Sequence, residues 1–154
     1  MLVTGSFSEV GRLCQAFPKA IFIAVCRTRP PPVECVKVYW MPALGPSREL
    51  LSRFHRERAR LERKGLSRVE AHKKAWEKVN YAEEYYKQII HDEGALERIE
   101  RIRGWLREGK TVVLLCFEPE AWKPYCHRFI LKAIIENRPF RMKKKKQIRL
   151  DRFR

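Results

Sequence analysis

The amino-acid sequence predicts an α/β fold: a mainly parallel sheet with helices on both faces, in the three layers of Rossmann-like proteins, plus an inserted helical block at about 47–108. Two apolar segments, 20–26 and 111–117, have the length and near-continuous hydrophobicity of strands that are covered on both faces. Segments with helical periodicity separate the strand candidates, and helical crossovers usually connect parallel strands. At 154 residues, the chain has the length of one ordinary domain.

The N-terminal part of the chain is predicted to contain three strands and one helix. Residues 2–4 form a short apolar strand, and apolar side chains recur at helical spacing over 10–17. The strand at 20–26 ends at Arg27, shortly before three prolines. Residues 34–40 alternate in side-chain character, which indicates a third, more exposed strand.

Three helices are predicted in the middle of the chain. Ser47 is the expected N-cap of the first helix. Ser67 begins a second helical stripe, which continues to Ile90. The third helix is predicted at 95–108 and ends at Gly109, since glycine commonly follows the last helical residue.

The C-terminal part of the chain contains the strongest strand candidate and a last helix. Residues 111–117 are rich in β-branched side chains and lie between Gly109 and Pro119, so we expect this strand to be central in the sheet. One side of the last helix is formed by Ile130, Ala133, Ile134 and Asn137, and its polar stripe by Arg128, Lys132 and Glu136. We assign residues 1–137 to the α/β domain.

The formal net charge of +16 is concentrated at the C-terminal end. From Arg138 onward the sequence has nine lysines and arginines against the single Asp151. We therefore expect 138–154 to be a flexible basic tail. Its candidates for contact with nucleic-acid phosphates are Arg141, Lys143, Lys144, Lys145, Lys146, Arg149 and Arg152.

Membrane and export segments are not recognisable in the sequence. No apolar run approaches the about 18 residues that a membrane-spanning helix needs. The first ten residues lack the basic and apolar regions of a signal peptide. We expect a cytoplasmic protein that has no membrane partner.

The five cysteines are scattered and include no CxxC pair, so reduced thiols are the first expectation. The sequence is 34% charged and contains only two Asn and three Gln, which resembles the composition of thermophile proteins. Cytosolic proteins of hyperthermophiles do carry disulfides. A Cys26–Cys35 bridge across the proline-rich loop is therefore the alternative.

The candidate site lies where the predicted strands end. Open α/β sheets bind ligands beyond the carboxyl ends of their strands, where helix N-termini present free N–H groups. Three such ends carry polar groups: Ser6, Arg27 and the segment LLCFEPEAWKPYCHR at 114–128. If the strands are neighbours, these groups surround a space that suits an anion. The candidate catalytic residues are Cys116, Glu118, Cys126 and His127, and the candidate anion-binding residues include Ser6, Arg27 and Arg128.

Several of these residues also have structural interpretations. Cys126 shares a helix face with apolar residues, so it can be a buried, inert thiol. His127 can be a partly buried histidine bonded to a backbone carbonyl, and Arg128 a surface arginine. Neighbouring helical residues point about 100° apart, which argues against a nucleophile–base pair of Cys126 and His127. For Glu118, the structural interpretation is that it simply forms an ion pair with one of the arginines.

Metal and cofactor sites are not predicted. Cys116, Cys126 and His127 are suitable zinc ligands, but their spacing is unfamiliar and a fourth ligand is lacking. Cys126 is followed six residues later by Lys132 rather than by the arginine of a cysteine phosphatase. The sequence contains neither GxGxxG nor GxxxxGK[ST], so no dinucleotide or Walker-type site is indicated.

A set of short motifs resembles domain-of-unknown-function family 488. They are Ser6-Phe7, Cys26-Arg27 before the prolines, Leu44-Gly45-Pro46-Ser47, Tyr85-Tyr86, and above all Leu114–Glu118 followed by Cys126-His127-Arg128. The resemblance covers about 1–137; the loop 118–126 and the helical insert 56–74 look longer than in the family pattern. It implies a small α/β fold with these residues clustered, adds Ser47 to the ligand-binding candidates, and names no activity.

Three functions remain open at this point. The first is binding of nucleic acid, or of a nucleotide or another phosphate-bearing ligand, at the carboxyl ends of the strands. The second is a hydrolase or transferase that uses Glu118 or His127 as general acid or base, with a cysteine or an arginine in the same pocket. The third is an interaction module without catalysis.

Overall fold

The computed structural model of the protein describes residues 1–137 in full and the backbone of 140–141 and 147–148. Its main sheet has four parallel strands: β1 (Leu2–Ser6), β2 (Ile21–Ala24), β3 (Val38–Trp40) and β4 (Val112–Cys116). Their order across the sheet is β1-β4-β2-β3. The predicted parallel α/β fold is confirmed, and β4 lies between two other strands as expected.

Six α-helices accompany the sheet in the described part of the chain: α1 (Val10–Ala16), α2 (Arg48–Arg63), α3 (Arg68–Lys78), α4 (Tyr81–Ile90), α5 (Glu93–Arg107) and α6 (His127–Ile135). Ser47 begins α2 as predicted, because its side chain accepts a hydrogen bond from the Leu50 amide at 3.1 Å. The helical stripe predicted from Ser67 to Ile90 is two helices. Asn80 interrupts it with a φ of 56°, a left-handed conformation that asparagine tolerates.

Helices cover both faces of the sheet, but unequally. On one face α1 packs alone, and its Leu13 contacts Val113 and Leu115 of β4. On the other face the helical block and α6 bury the alternate residues Val112 and Leu114. Every residue of β4 is buried, which accounts for the continuous apolar run in its sequence.

The chain between β2 and β3 differs from the prediction. Only Val38–Trp40 of the expected strand at 34–40 is extended in the sheet. Cys35 forms a disulfide with Cys14 of α1, whereas Cys26 is a free, buried thiol. The Cys26–Cys35 bridge is therefore wrong. Val36 packs with Cys14 on the α1 face of the sheet, while Cys26 clusters with two other cysteines at the carboxyl end of β2.

The tail contributes a second, two-stranded antiparallel sheet of β5 (Phe140–Arg141) and β6 (Gln147–Ile148). Arg141 lies in β5. The other basic residues proposed for the tail, Lys143–Lys146, Arg149 and Arg152, lie outside the described residues, and the flexibility of the tail stays a prediction. Among the described helices, none combines the length and apolar character required to cross a bilayer.

Candidate functional site

A cavity of about 510 Å³ opens beyond the carboxyl ends of β2 and β4. The loops after these strands form one wall, and α2 with the starts of α3, α4 and α6 forms the other. Its lining residues are Cys26, Arg27, Thr28, Pro46, Leu51, His55, Arg58, Arg68, Tyr81, Cys116, Phe117, Glu118, Pro119, Trp122 and His127. The cavity thus lies where ligands of open α/β sheets bind.

Two thiols and an imidazole meet at the base of this cavity. The ligand-type atoms of Cys116, Cys126 and His127 all lie within 4.8 Å of one another, and all three residues are buried. His127 Nδ1 is 3.9 Å from Cys126 Sγ and 4.0 Å from Cys116 Sγ. Cys126 and His127 are not held apart by helical geometry, as the sequence suggested. Cys126 is the extended N-cap residue of α6, with φ −150° and ψ 143°.

Hydrogen bonding sets the orientation of His127. Its Nε2 lies 2.6 Å from the Val25 carbonyl oxygen, so Nε2 carries a proton. Nδ1 lies on the side of Cys126 Sγ, while Cys116 Sγ is 4.0 Å from both ring nitrogens. A histidine bonded to a backbone carbonyl was one of the interpretations drawn from the sequence, and the structure confirms that contact. Burial opposes the charged imidazolium, but Cys126 and Glu118 raise the pKa of His127 above its usual value.

The surroundings of the two thiols shift their pKa values in opposite directions. The hydrogen bond between them and burial raise the pKa of Cys116 well above its usual value. Burial alone would raise the pKa of Cys126 as well, yet the bond from Cys116 and the charges of His127 and Arg128 lower it well below the usual value. Cys126 is therefore the more acidic of the two thiols.

Glu118 projects its carboxylate onto this cluster. Its Oε2 accepts from Cys116 Sγ at 3.4 Å and from Cys126 Sγ at 3.5 Å. Burial, followed by the Cys126 charge, raises the pKa of Glu118 to about 7. The carboxyl group of Glu118 and the imidazole of His127 thus both contact the two thiols.

Arg128 is fully buried, with 0% of its surface exposed, and is not a surface arginine of a polar stripe. Its Nη2 donates to Glu120 Oε2 at 2.9 Å and its Nη1 to Cys126 Sγ at 3.5 Å. The short 3-10 turn Glu120–Trp122 brings the carboxylate over the start of α6, which explains the burial. The guanidinium therefore lies behind the thiols, outside the cavity lining.

A protein-family model matches the part of the chain that forms most of this cavity. The model of DUF488-N3a, described as the active DUF488-N3 subclade, matches residues 15–139. The chain belongs to the DUF488 family. No curated protein and no solved structure matches it significantly. The match extends over the cavity-forming segments from α2 to α6, so in this DUF488 protein the cavity is built by the family domain.

The sequence-derived candidates divide into three groups in the DUF488 protein. Arg27, Cys116, Glu118 and His127 line the cavity. Cys126 and Arg128 lie directly behind it, in contact with each other. Ser6 and Ser47 have local structural partners instead. Ser6 Oγ bonds Ser8 and Glu9 at the start of a 3-10 turn, Phe7–Glu9. Ser47 caps α2, and its amide donates to Gln88 Oε1 at 2.7 Å.

One wall of the cavity was missed by the sequence analysis. Leu51, His55 and Arg58 all come from α2, and Arg68 from the start of α3. The signal was available, since positions 51, 55 and 58 follow the i, i+4, i+7 spacing of one helix face. The sequence analysis predicted only a helix beginning at Ser47 and named no ligand-facing side for it. Burial, with help from Arg58, lowers the pKa of His55.

Proposed function

We propose that this protein is an enzyme that acts on a phosphate-bearing substrate of nucleotide size, with the hydrolases and transferases as the reaction classes. One observation carries the proposal: three arginines and a carboxyl–thiol–imidazole cluster face the same cavity. The family description as an active subclade favours catalysis over plain binding.

The charge of the cavity supports an anionic ligand. Arg27, Arg58 and Arg68 line it, and Glu118 is the single acidic residue among its lining residues. Arg27 is held in place by donating its Nε to the Pro46 carbonyl at 2.9 Å. Fixed guanidinium groups are well suited to bind the oxygens of a phosphate.

The size and apolar surface of the cavity support a ligand larger than a free phosphate ion. Its volume of about 510 Å³ falls within the range of ordinary small-molecule sites. Tyr81, Phe117 and Trp122 contribute aromatic surface to the lining. Aromatic rings offer stacking surface to a nucleobase, while the arginines bind its phosphate.

The catalytic assignment follows from position. Glu118 lines the cavity with its carboxyl group, so it can exchange a proton with a bound substrate. His127 and Cys116 lie beside it, and Arg128 adds positive charge from behind. Developing negative charge on a substrate would be stabilised by this arrangement.

Measurements of nucleotide binding and of nucleotide turnover test the anion site and the catalytic assignment separately. Calorimetric titration with a panel of nucleoside mono- and diphosphates should show binding that R58A/R68A weakens by about tenfold or more per arginine, since a charged hydrogen bond contributes about 1.5–3 kcal/mol. The matched control is R12A, whose side chain is on α1 across the sheet. E118Q should retain binding and lose turnover. Equal binding by R58A/R68A and R12A would refute the anion site.

A second candidate, binding of single-stranded nucleic acid, is favoured by a neighbouring depression. This depression of about 580 Å³ shares Arg27, Thr28, Leu51 and His55 with the cavity. Its other lining residues are Arg29, Trp40, Arg48, Ser52 and Arg56, so it is basic and has no acidic lining residue. Trp40 is 43% exposed and offers a stacking surface.

The salt dependence of binding tests this second candidate. Each neutralised phosphate contributes about −0.7 to the slope for a single strand, so R48A/R56A should reduce the slope measured with a short oligonucleotide by about 1.4. Deletion of 141–154 tests the tail separately. An unchanged slope after that deletion would exclude the tail, and an unchanged slope in R48A/R56A would exclude the depression.

A further inference from the structure

We propose that Cys116, Cys126 and His127 form a zinc site with three protein ligands and one position open to the cavity. The three ligand atoms lie within 4.8 Å of one another, although the two cysteines are 10 positions apart along the chain. Strand β4 ends at Cys116, and α6 begins just after Cys126, so the fold brings together residues whose linear spacing is unfamiliar. The inference goes beyond the proposed function, because it holds whatever ligand the cavity takes.

The distances suit a tetrahedral zinc ion. Zinc binds thiolate sulfur at about 2.3 Å and imidazole nitrogen at about 2.0–2.1 Å, which places sulfur and nitrogen ligands roughly 3.6 Å apart. His127 Nδ1 is 3.9 Å from Cys126 Sγ and 4.0 Å from Cys116 Sγ. A contraction of a few tenths of an ångström would complete the coordination.

The imidazole is already oriented as metal-bound histidines are. Nε2 of His127 lies 2.6 Å from the Val25 carbonyl oxygen, and this bond leaves Nδ1 available as a ligand atom beside Cys126 Sγ, with Cys116 Sγ 4.0 Å from both ring nitrogens. Metal-ligating histidines almost always donate their second ring N–H to a carboxylate, a backbone carbonyl or water. The orienting partner is therefore present without the metal.

The charge around the site also fits a dication held by two thiolates. Arg128 donates to Cys126 Sγ at 3.5 Å from a fully buried position, where it offsets negative charge on that sulfur. A zinc ion would balance the charge of two thiolates at this buried position.

The fourth coordination position faces the cavity. Cys116 and His127 line the cavity, whereas Cys126 lies behind them. Three protein ligands with an open position are the arrangement of catalytic rather than structural zinc sites, in which water or substrate takes the fourth place. Glu118 Oε2, 3.4 Å from Cys116 Sγ, is adjacent to that place.

Metal content tests the site directly. The full chain, purified under reducing conditions, loaded with Zn²⁺ and desalted, should retain one zinc ion per chain by elemental analysis. Replacement by Co²⁺ should give the visible absorption of a tetrahedral thiolate complex. C116S, C126S and H127A should weaken zinc binding by more than about 100-fold, exceeding the effect of losing an orienting partner.

Cys26 provides the matched control. It is also free and buried in the same cysteine cluster, but its sulfur does not belong to the ligand group. C26S should therefore retain zinc as the wild type does. Zinc retention by the C116S/C126S double variant equal to that of C26S, or no zinc in the loaded wild type, would overturn the proposal.

Thiol labelling of the wild type avoids any variant that fails to fold. Zinc should slow alkylation of Cys116 and Cys126, mapped by mass spectrometry, and leave the rate at Cys26 unchanged. Equal rates with and without zinc at all three positions would overturn the site. R58A/R68A should lose nucleotide binding and keep zinc, so the failure of one proposal can be told from the failure of the other.

Discussion

Two buried histidines have different surroundings in two regions of the protein: His127 lies in the strand-end region, where β2 and β4 end and α6 begins, and His72 lies in α3 of the helical block. His127 bonds Val25 O through Nε2 at 2.6 Å, and His72 bonds Tyr125 O through Nε2 at 2.7 Å. Their other nitrogens differ: Nδ1 of His127 is 3.9 Å from Cys126 Sγ and 4.0 Å from Cys116 Sγ, whereas Nδ1 of His72 has no hydrogen-bond partner among the described residues.

The surroundings explain this difference. His72 lies among aromatic rings, with Phe54 and Trp122 centroids at 5.0 and 4.8 Å, and burial lowers its pKa. His127 lies among charged and polarisable groups that raise its pKa. In this protein, the buried histidine at the candidate site is the one whose second nitrogen also lies close to a reactive group.

The largest expected effect concerns Arg128, on which the strand-end region depends. R128M should destabilise the protein by about 3 kcal/mol, the lower end for breaking a buried pair, because Glu120 is 38% exposed and can be rehydrated. Urea unfolding measures the loss. E120Q is the comparison and should cost less, since Arg128 keeps Cys126 as a second partner. Equal stability of R128M and wild type would contradict the role of the guanidinium.

Gly45 tests how closely the loop after β2 is held at the cavity. A Cβ there would collide with the backbone of Arg27 and lie 2.8 Å from the Cys26 carbonyl carbon. G45A should cost about 1–3 kcal/mol and weaken ligand binding by moving Arg27. In G11A, where a Cβ meets nothing within 4 Å, we expect a gain of about 0.5–1 kcal/mol. Thermal unfolding of both variants should therefore shift in opposite directions.

The pH dependence of the unfolding free energy tests whether His72, unlike His127, has a lowered pKa. Its folded pKa is lowered, first by burial, so the unfolded chain binds more protons below the ordinary value of 6.5. The stabilising contribution is complete above pH 6.5 and is lost as the pH falls, at up to about 1.4 kcal/mol per pH unit for one proton.

The control for this prediction separates His72 from His55, whose pKa is also lowered by burial. H72Q should flatten the unfolding free energy between pH 6.5 and 5 more than H55Q does, because His72 is 1% exposed. The same acid slope in H72Q and wild type would show that other groups cause it.

Ser47 should give the smallest effect. S47A removes the cap of α2 and should cost about 1 kcal/mol, with ligand binding unchanged. S67A, at the start of α3, is the matched variant and should cost a similar amount. A loss of ligand binding in S47A alone would return Ser47 to the site that the family resemblance implies.

Local sequence patterns predicted much of the fold and part of the candidate site. The apolar run at 111–117 and the caps at Ser47 and Ser67 predicted β4 and the starts of α2 and α3. Arg27 and Glu118 were expected at the carboxyl ends of strands, and both line the cavity there. The chain segment 34–37 was misassigned because alternating character does not show that Cys35 is tied to α1.

The sequence by itself determined the α/β class, the strand ends where polar groups collect and the DUF488 family, because these depend on neighbours along the chain. Only the tertiary structure decided the burial of Arg128, the Cys14–Cys35 bond and the α2 wall of the cavity. The meeting of Cys116, Cys126 and His127 belongs to the same group. Each of these brings together residues from elements that are distant along the chain, and their neighbours in space are chosen by packing across the whole core.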